Sequence, residues 1–120
     1  MSLLALALVA SASCQPVENA SLDREALAKS FVMSVNDGKL DAAASMFKAE
    51  SEFENDDETM AGAEYLKRVK AKPSKLAIVG SMTDDAERVI LKVRVDDAAV
   101  AEIWQFELGG GCIEKIETDS

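Results

Sequence analysis

One hundred and twenty residues allow a single domain with one core and leave no room for a second. The 22 acidic residues outnumber the 13 basic ones for a net charge of −9, which repels phosphate backbones and argues against nucleic acid as a partner. Histidine is absent, which removes the usual general base near neutral pH, the commonest metal ligand, and every Ser/His or Cys/His nucleophile pair; no metal site and no cofactor is expected.

The chain begins with an apolar run, Leu3 to Ala12, that has the length of a signal-peptide core and is too short to cross a bilayer as a helix. Ala10-Ser11-Ala12 suits a signal peptidase, while Ser11-Ala12-Ser13-Cys14 looks like a bacterial lipoprotein box with Ser11 in place of a branched aliphatic residue. The expected organisation is residues 1–14 as a signal peptide or lipoprotein signal, 15–21 as a tether containing Pro16, and 22–120 as the folded domain. Cys14 is the candidate lipidation site, so membrane attachment would come only through that anchor. The chain is then exported, periplasmic or lipid-anchored to the envelope; the alternative is a cytoplasmic chain with a frayed start. Cys14 and Cys112 belong to no CxxC or metal-spaced set. In an oxidising compartment they can pair, whereas a lipidated Cys14 leaves Cys112 alone as a small strand residue.

Leu22 to Phe47 reads as two helices joined at Asn36-Asp37-Gly38. Leu27, Phe31 and Val35, with Ala28 and Val32, form one broad apolar stripe. Ser21 can cap the first helix, Asp23 and Glu25 suit its positive end, and Gly38 tolerates the φ > 0 where it stops. Leu40, Ala43, Ala44 and Phe47 line the second. Glu50 to Asn55 alternates as a half-buried strand with Phe53 inward, and Asn55 to Glu58 is an acidic turn. That cluster lacks the glycine and ligand spacing of a calcium loop and reads as a solvated edge. Ala61 to Ala71 resumes helical spacing with Tyr65, Leu66 and Val69, ending before Pro73. Met33, Met46, Met60 and Met82 read as scattered gap fillers.

From Lys75 the pattern is an antiparallel meander, with turns at Thr83-Asp84-Asp85, Asp96-Asp97 and Gly109-Gly110-Gly111. Val89, Leu91, Val93 and Val95 share a face that must cover the helices. In the next run Val100, Glu102, Trp104, Phe106 and Leu108 make the more apolar face. Ile113 and Ile116 break the period of two, which predicts a bulge.

The order of a helix pair, a strand, a third helix and a closing meander resembles the nuclear-transport-factor-2-like (NTF2-like), or SnoaL-like, cone-shaped α+β fold. VNDGKLDAAASMF resembles its loop and second helix, MAGAEYLKRV its third helix entered through a glycine, and WQFELGGGCIEKIE its closing hairpin. The resemblance implies three N-terminal helices with one early strand, packed in a curved, mainly antiparallel sheet, and a pocket at the open end of the cone. It also implies a homodimer through the sheet face. The fold hosts isomerases, cyclases, dehydratases and epoxide hydrolases beside members that only bind, so site residues decide. The dehydratase His and Asp pair is impossible here. Ketosteroid-isomerase-like members place their tyrosine elsewhere than the third helix, where Tyr65 lies, and Arg88 and Arg94 fall on the face opposite the valines. No catalytic residue is assigned.

Glu102 is the one acid embedded in an apolar face. Turned inward it would be desolvated and suited to acid or base work; at the rim it would reach water or a basic partner. Aromatic side chains supply large contact area around few polar groups, and the candidate ligand-binding residues are Phe31, Val35, Phe53, Tyr65, Glu102 and Trp104. The expected function is binding, without catalysis, of a small apolar or weakly cationic molecule, a second copy, or another protein. The alternative is a cofactor-independent isomerase, cyclase or lyase with Glu102 as acid or base.

Overall fold

Helix α1 (Arg24–Asn36) starts at Asp23, whose carboxylate accepts from the Ala26 N–H at 3.1 Å and so satisfies a donor with no partner inside the helix. Asp23 is therefore the cap rather than a first-turn acid. Ser21, expected in that role, lies outside the residues described in this computed structural model, which are 14–15, 23–83 and 88–119. The apolar run before Cys14 and the turn after Thr83 also lie outside them. Ala28, Phe31, Val32 and Val35 are the buried stripe of α1. Asp37 donates its N–H to the Met33 carbonyl, and Gly38 takes φ +75°, so the stop falls where expected.

Helix α2 (Leu40–Ala44) is shorter than its apolar pattern suggests, because Phe47 is not on it but opens strand β1 (Phe47–Glu54). β1 thus begins before the expected Glu50. Its parallel pairing with the last strand is broken between Phe47 and Glu52. Buried Ser51 repairs the break: its hydroxyl accepts from the Lys48 N–H at 2.8 Å and donates to the Ile113 carbonyl at 2.6 Å, satisfying groups that the ladder leaves over. The Asn55 side chain accepts from the Asp57 and Glu58 N–H groups and turns the chain into β2 (Thr59–Ala61), a strand too short to show any alternation.

Helix α3 (Gly62–Ala71) follows β2, so the helices are not all N-terminal to the sheet and two early strands separate α3 from α2. Gly62 lies directly on the Phe47 ring, where an added Cβ would come within 2.7 Å of ring carbons. Arg68 donates to Glu58 at 2.7 Å and to Glu64 at 3.3 Å, pinning the acidic turn to α3.

Strands β3 (Leu76–Thr83), β4 (Arg88–Val95), β5 (Glu102–Gly109) and β6 (Cys112–Asp119) complete a six-stranded sheet of order β2-β1-β6-β5-β4-β3, antiparallel except for β1–β6. The register sets Val89 opposite Phe106, Leu91 opposite Trp104 and Val93 opposite Glu102. These residues share the face that packs on α1, and Val89, Leu91, Val93 and Phe106 are fully buried. Val100, expected on that face, is 75% exposed and precedes β5. The Asp96-Asp97 turn, in left-handed backbone at φ 53° and 61°, ends β4 and leaves Val100 in the connection. The predicted bulge is real: Glu107 pairs with Lys115 and Leu108 with Ile113, leaving Glu114 over. Met46 and Met60 pack on the core, whereas Met33 and Met82 are exposed.

Cys14 and Cys112 form a disulfide across 98 residues of sequence, and the Cys14 N–H donates to the Phe47 carbonyl. A sulfur held in that bond cannot also carry a lipid. In this structure Cys14 is a disulfide partner, and Cys112, fully buried, is not a lone strand cysteine.

Candidate ligand-binding site

The aromatic residues divide into two groups along the cone. Phe31, Phe47 and Phe106 fill the interior, with ring centroids 5.0 Å apart for Phe31–Phe47 and 6.2 Å for Phe31–Phe106. Phe53, Tyr65 and Trp104 form the second group. The Phe53 and Tyr65 rings stack at 3.8 Å, and Trp104 stands edge-on to both at 79°. Such offset and edge-on arrangements suit the ring quadrupoles.

The second group lines a cavity of about 200 Å³ together with Asn55, Val69, Ser74, Leu76, Val95, Glu102 and Thr118. Period-two alternation brings Glu102 and Trp104 onto the same face of β5. β6 supplies Thr118, directly opposite Trp104. α3 contributes Tyr65 and Val69 from successive turns of one side. The loop before β3 is held by Asn36, whose side chain accepts from the Leu76 N–H at 2.9 Å.

Glu102 is half-buried and accepts from the Trp104 indole N–H at 3.0 Å. It forms no ion pair among the described residues, so the basic partner allowed for it is not there. Burial, and secondarily the Glu102 charge, push the Tyr65 phenol well above its ordinary value. The cavity therefore offers a neutral phenol, a carboxylate and an indole among apolar walls. A larger open depression of about 560 Å³ runs along Gly38, Lys39, Leu40, Asp41, Ala42 and Lys70. Among the described residues its lining holds Asp41 beside Lys39 and Lys70 but no aromatic side chain, so the smaller cavity is the stronger site. No group of His, Cys, Asp and Glu among the described residues is placed to hold a metal.

Of the residues expected at a site, Phe53, Tyr65, Glu102 and Trp104 converge on this cavity. Phe31 and Val35 do not line it; they are core, at 0% and 2% exposure. Asn55, Val69, Ser74, Leu76, Val95 and Thr118 were not foreseen as site residues. Thr118 carries a retrievable signal, since it stands opposite Trp104 once the bulge in β6 is placed.

No protein-family model matches the sequence, and no curated protein matches it significantly. Solved structures do. An NTF2-like protein of unknown function from Cytophaga hutchinsonii superposes with a TM-score of 0.72 at 16% identity, over 83% of this chain and 91% of its own. A protein from Kribbella flavida, provisionally named a ketosteroid isomerase, gives 0.68 at 16% identity over 79% of this chain and 75% of its own. One from Sinorhizobium meliloti, provisionally named a polyketide cyclase, gives 0.67 at 15% identity over 78% and 93%. With its mixed six-stranded sheet folded over α1, this chain has the NTF2-like α+β fold.

Proposed function

We propose that the protein binds a small, largely apolar molecule in the cavity bounded by Phe53, Tyr65 and Trp104 and does not turn it over. The observation that carries this reading is the convergence of three aromatic side chains and one carboxylate, without an ion pair among the described residues, on a cavity of about 200 Å³, the composition of a small-molecule site. The test is native mass spectrometry of the purified protein, followed by organic extraction. A stoichiometric small molecule recovered unchanged, and lost in Trp104→Ala, supports binding. A chemically altered molecule favours the second reading.

That second reading is a cofactor-independent isomerase, cyclase or lyase with Glu102 as acid or base. It is favoured by Tyr65, a phenol kept protonated within electrostatic reach of Glu102, and by neighbours named for isomerase and cyclase chemistry. A pH–rate profile governed by one acid and abolished in Glu102→Gln would establish it.

The protein is further proposed to be exported, a reading supported by the Cys14–Cys112 disulfide, since such bonds persist in oxidising compartments. The outer sheet face is the proposed contact for a second copy. By register Ile90 lies beside Met82 and Gln105, flanked by Arg88 and Lys92, while Glu107 and Lys115 pair nearby. Sedimentation of wild type against Ile90→Glu tests it: a dimer that Ile90→Glu dissociates supports the contact.

A further inference from the structure

The charge pattern inside the cavity narrows the ligand. Among the described residues Glu102 is the one carboxylate that lines the cavity, and no Lys or Arg lines it. One of its oxygens takes the Trp104 indole N–H. No protein donor among the described residues reaches the other, and no cation pairs with the group. The Tyr65 hydroxyl likewise makes no hydrogen bond among the described residues. An anionic ligand entering here would meet the carboxylate with nothing to offset the repulsion. A neutral apolar ligand would strip water from a carboxylate and leave it unpaired, which is costly.

A protonated amine removes both penalties. It has N–H groups to donate to the second Glu102 oxygen and to the Tyr65 oxygen, both on residues that line the cavity. Its carbon body has the indole and phenol of the lining to pack on, and its positive charge is attracted by the same rings. With one lining carboxylate, a second cationic centre would go unpaired. The net charge of −9 also raises the local concentration of cations around the protein.

We propose that the cavity is selective for a small monoamine, its ammonium held by Glu102 and its apolar or aromatic body packed on Trp104 and Tyr65. This rests on the binding reading given above and extends it to the ligand's charge. Trp104 is the chain's only tryptophan, so its fluorescence reports on the cavity alone. The experiment titrates the purified full chain with two matched pairs, benzylammonium against benzyl alcohol and butylammonium against 1-butanol, and with benzoate.

A charge-assisted hydrogen bond with a cation–π contact implies roughly a tenfold or greater preference for each ammonium over its alcohol. Added salt should weaken the ammonium and leave the alcohol unchanged. In Glu102→Gln, which keeps an acceptor for the indole N–H, the preference for the ammonium should vanish. Alcohols binding as well as ammoniums in wild type would overturn the monoamine proposal and leave the binding reading standing. A preference that survives both salt and Glu102→Gln would do the same. If neither pair nor benzoate binds, both readings fall.

Discussion

Reducing the Cys14–Cys112 bond is expected to destabilise the domain strongly. The bond closes a loop spanning a sequence separation of 98 residues. In the chain-entropy model a loop of that length restricts the unfolded chain by about 4.7 kcal/mol at 25 °C. Residual structure in the unfolded chain makes this an upper bound. For a domain of roughly 100 residues each kcal/mol moves Tm by about 4–8 °C, so reduction should lower Tm by up to roughly 20–40 °C. The bond also ties Cys14 to the sheet, where the Cys14 N–H meets the Phe47 carbonyl beside the Ile113 N–H bond to Met46. The assay is thermal unfolding with and without reductant, with mass spectrometry to show that both thiols are free. A Cys14→Ala/Cys112→Ala variant should melt near the reduced protein and ignore the reductant. An unchanged Tm in fully reduced protein would refute the reasoning, because the cross-link would then restrict nothing that folding does not already restrict.

Three further outcomes follow from packing and burial. Phe31→Ala should cost about 3–5 kcal/mol in denaturant unfolding, since the ring is fully buried between Phe47 and Phe106; a cost below about 1 kcal/mol would mean that the interior collapses around the loss. Gly62→Ala, although it adds a better helix former, should destabilise by about 1–3 kcal/mol because the new methyl meets the Phe47 ring, and a stabilised variant would show the ring free to move. Tyr65 is the only tyrosine, so phenolate absorbance reports on it alone. Its folded pKa is raised above the unfolded one, so the stabilisation it gives is whole below about pH 10 and is lost as pH rises further. The native protein should show no phenolate at pH 10 to 11, whereas the denatured chain half-titrates near pH 10; a native protein that titrates there without unfolding would place the phenol in water.

The sheet was legible in the sequence because a half-buried strand writes its burial with a period of two. Val89, Leu91 and Val93 alternate with Arg88, Ile90, Lys92 and Arg94, and the structure buries the valines and the leucine completely. The same period put Glu102, Trp104 and Phe106 together, and its failure at Ile113 and Ile116 located the bulge. The stripe on α1 was equally visible, but periodicity says only that Phe31 and Val35 are buried, not whether their neighbours are core or cavity. Phe47 satisfied a helical pattern and a strand start alike, and the Ser51-bridged break in β1 erased the alternation that would have settled it. β2 is too short for any period. The cavity draws Val69, Leu76, Val95 and Thr118 from separate elements, so no local pattern announces them. The pairing of Cys14 with Cys112 depends likewise on where the β5–β6 hairpin carries residue 112.

The claim at the centre of this account is that the space beside Trp104 receives a small molecule. The most direct test is a proton–nitrogen correlation spectrum of the labelled protein, recorded against a set of small aromatic and aliphatic amines and alcohols. The single indole N–H, bonded to Glu102, gives one isolated signal inside the cavity. Saturable shifts of that signal, together with the backbone signals of Phe53, Tyr65 and Thr118, are the predicted result. Spectra in which every compound leaves these signals in place, or moves only those along Gly38 to Ala42, would contradict it.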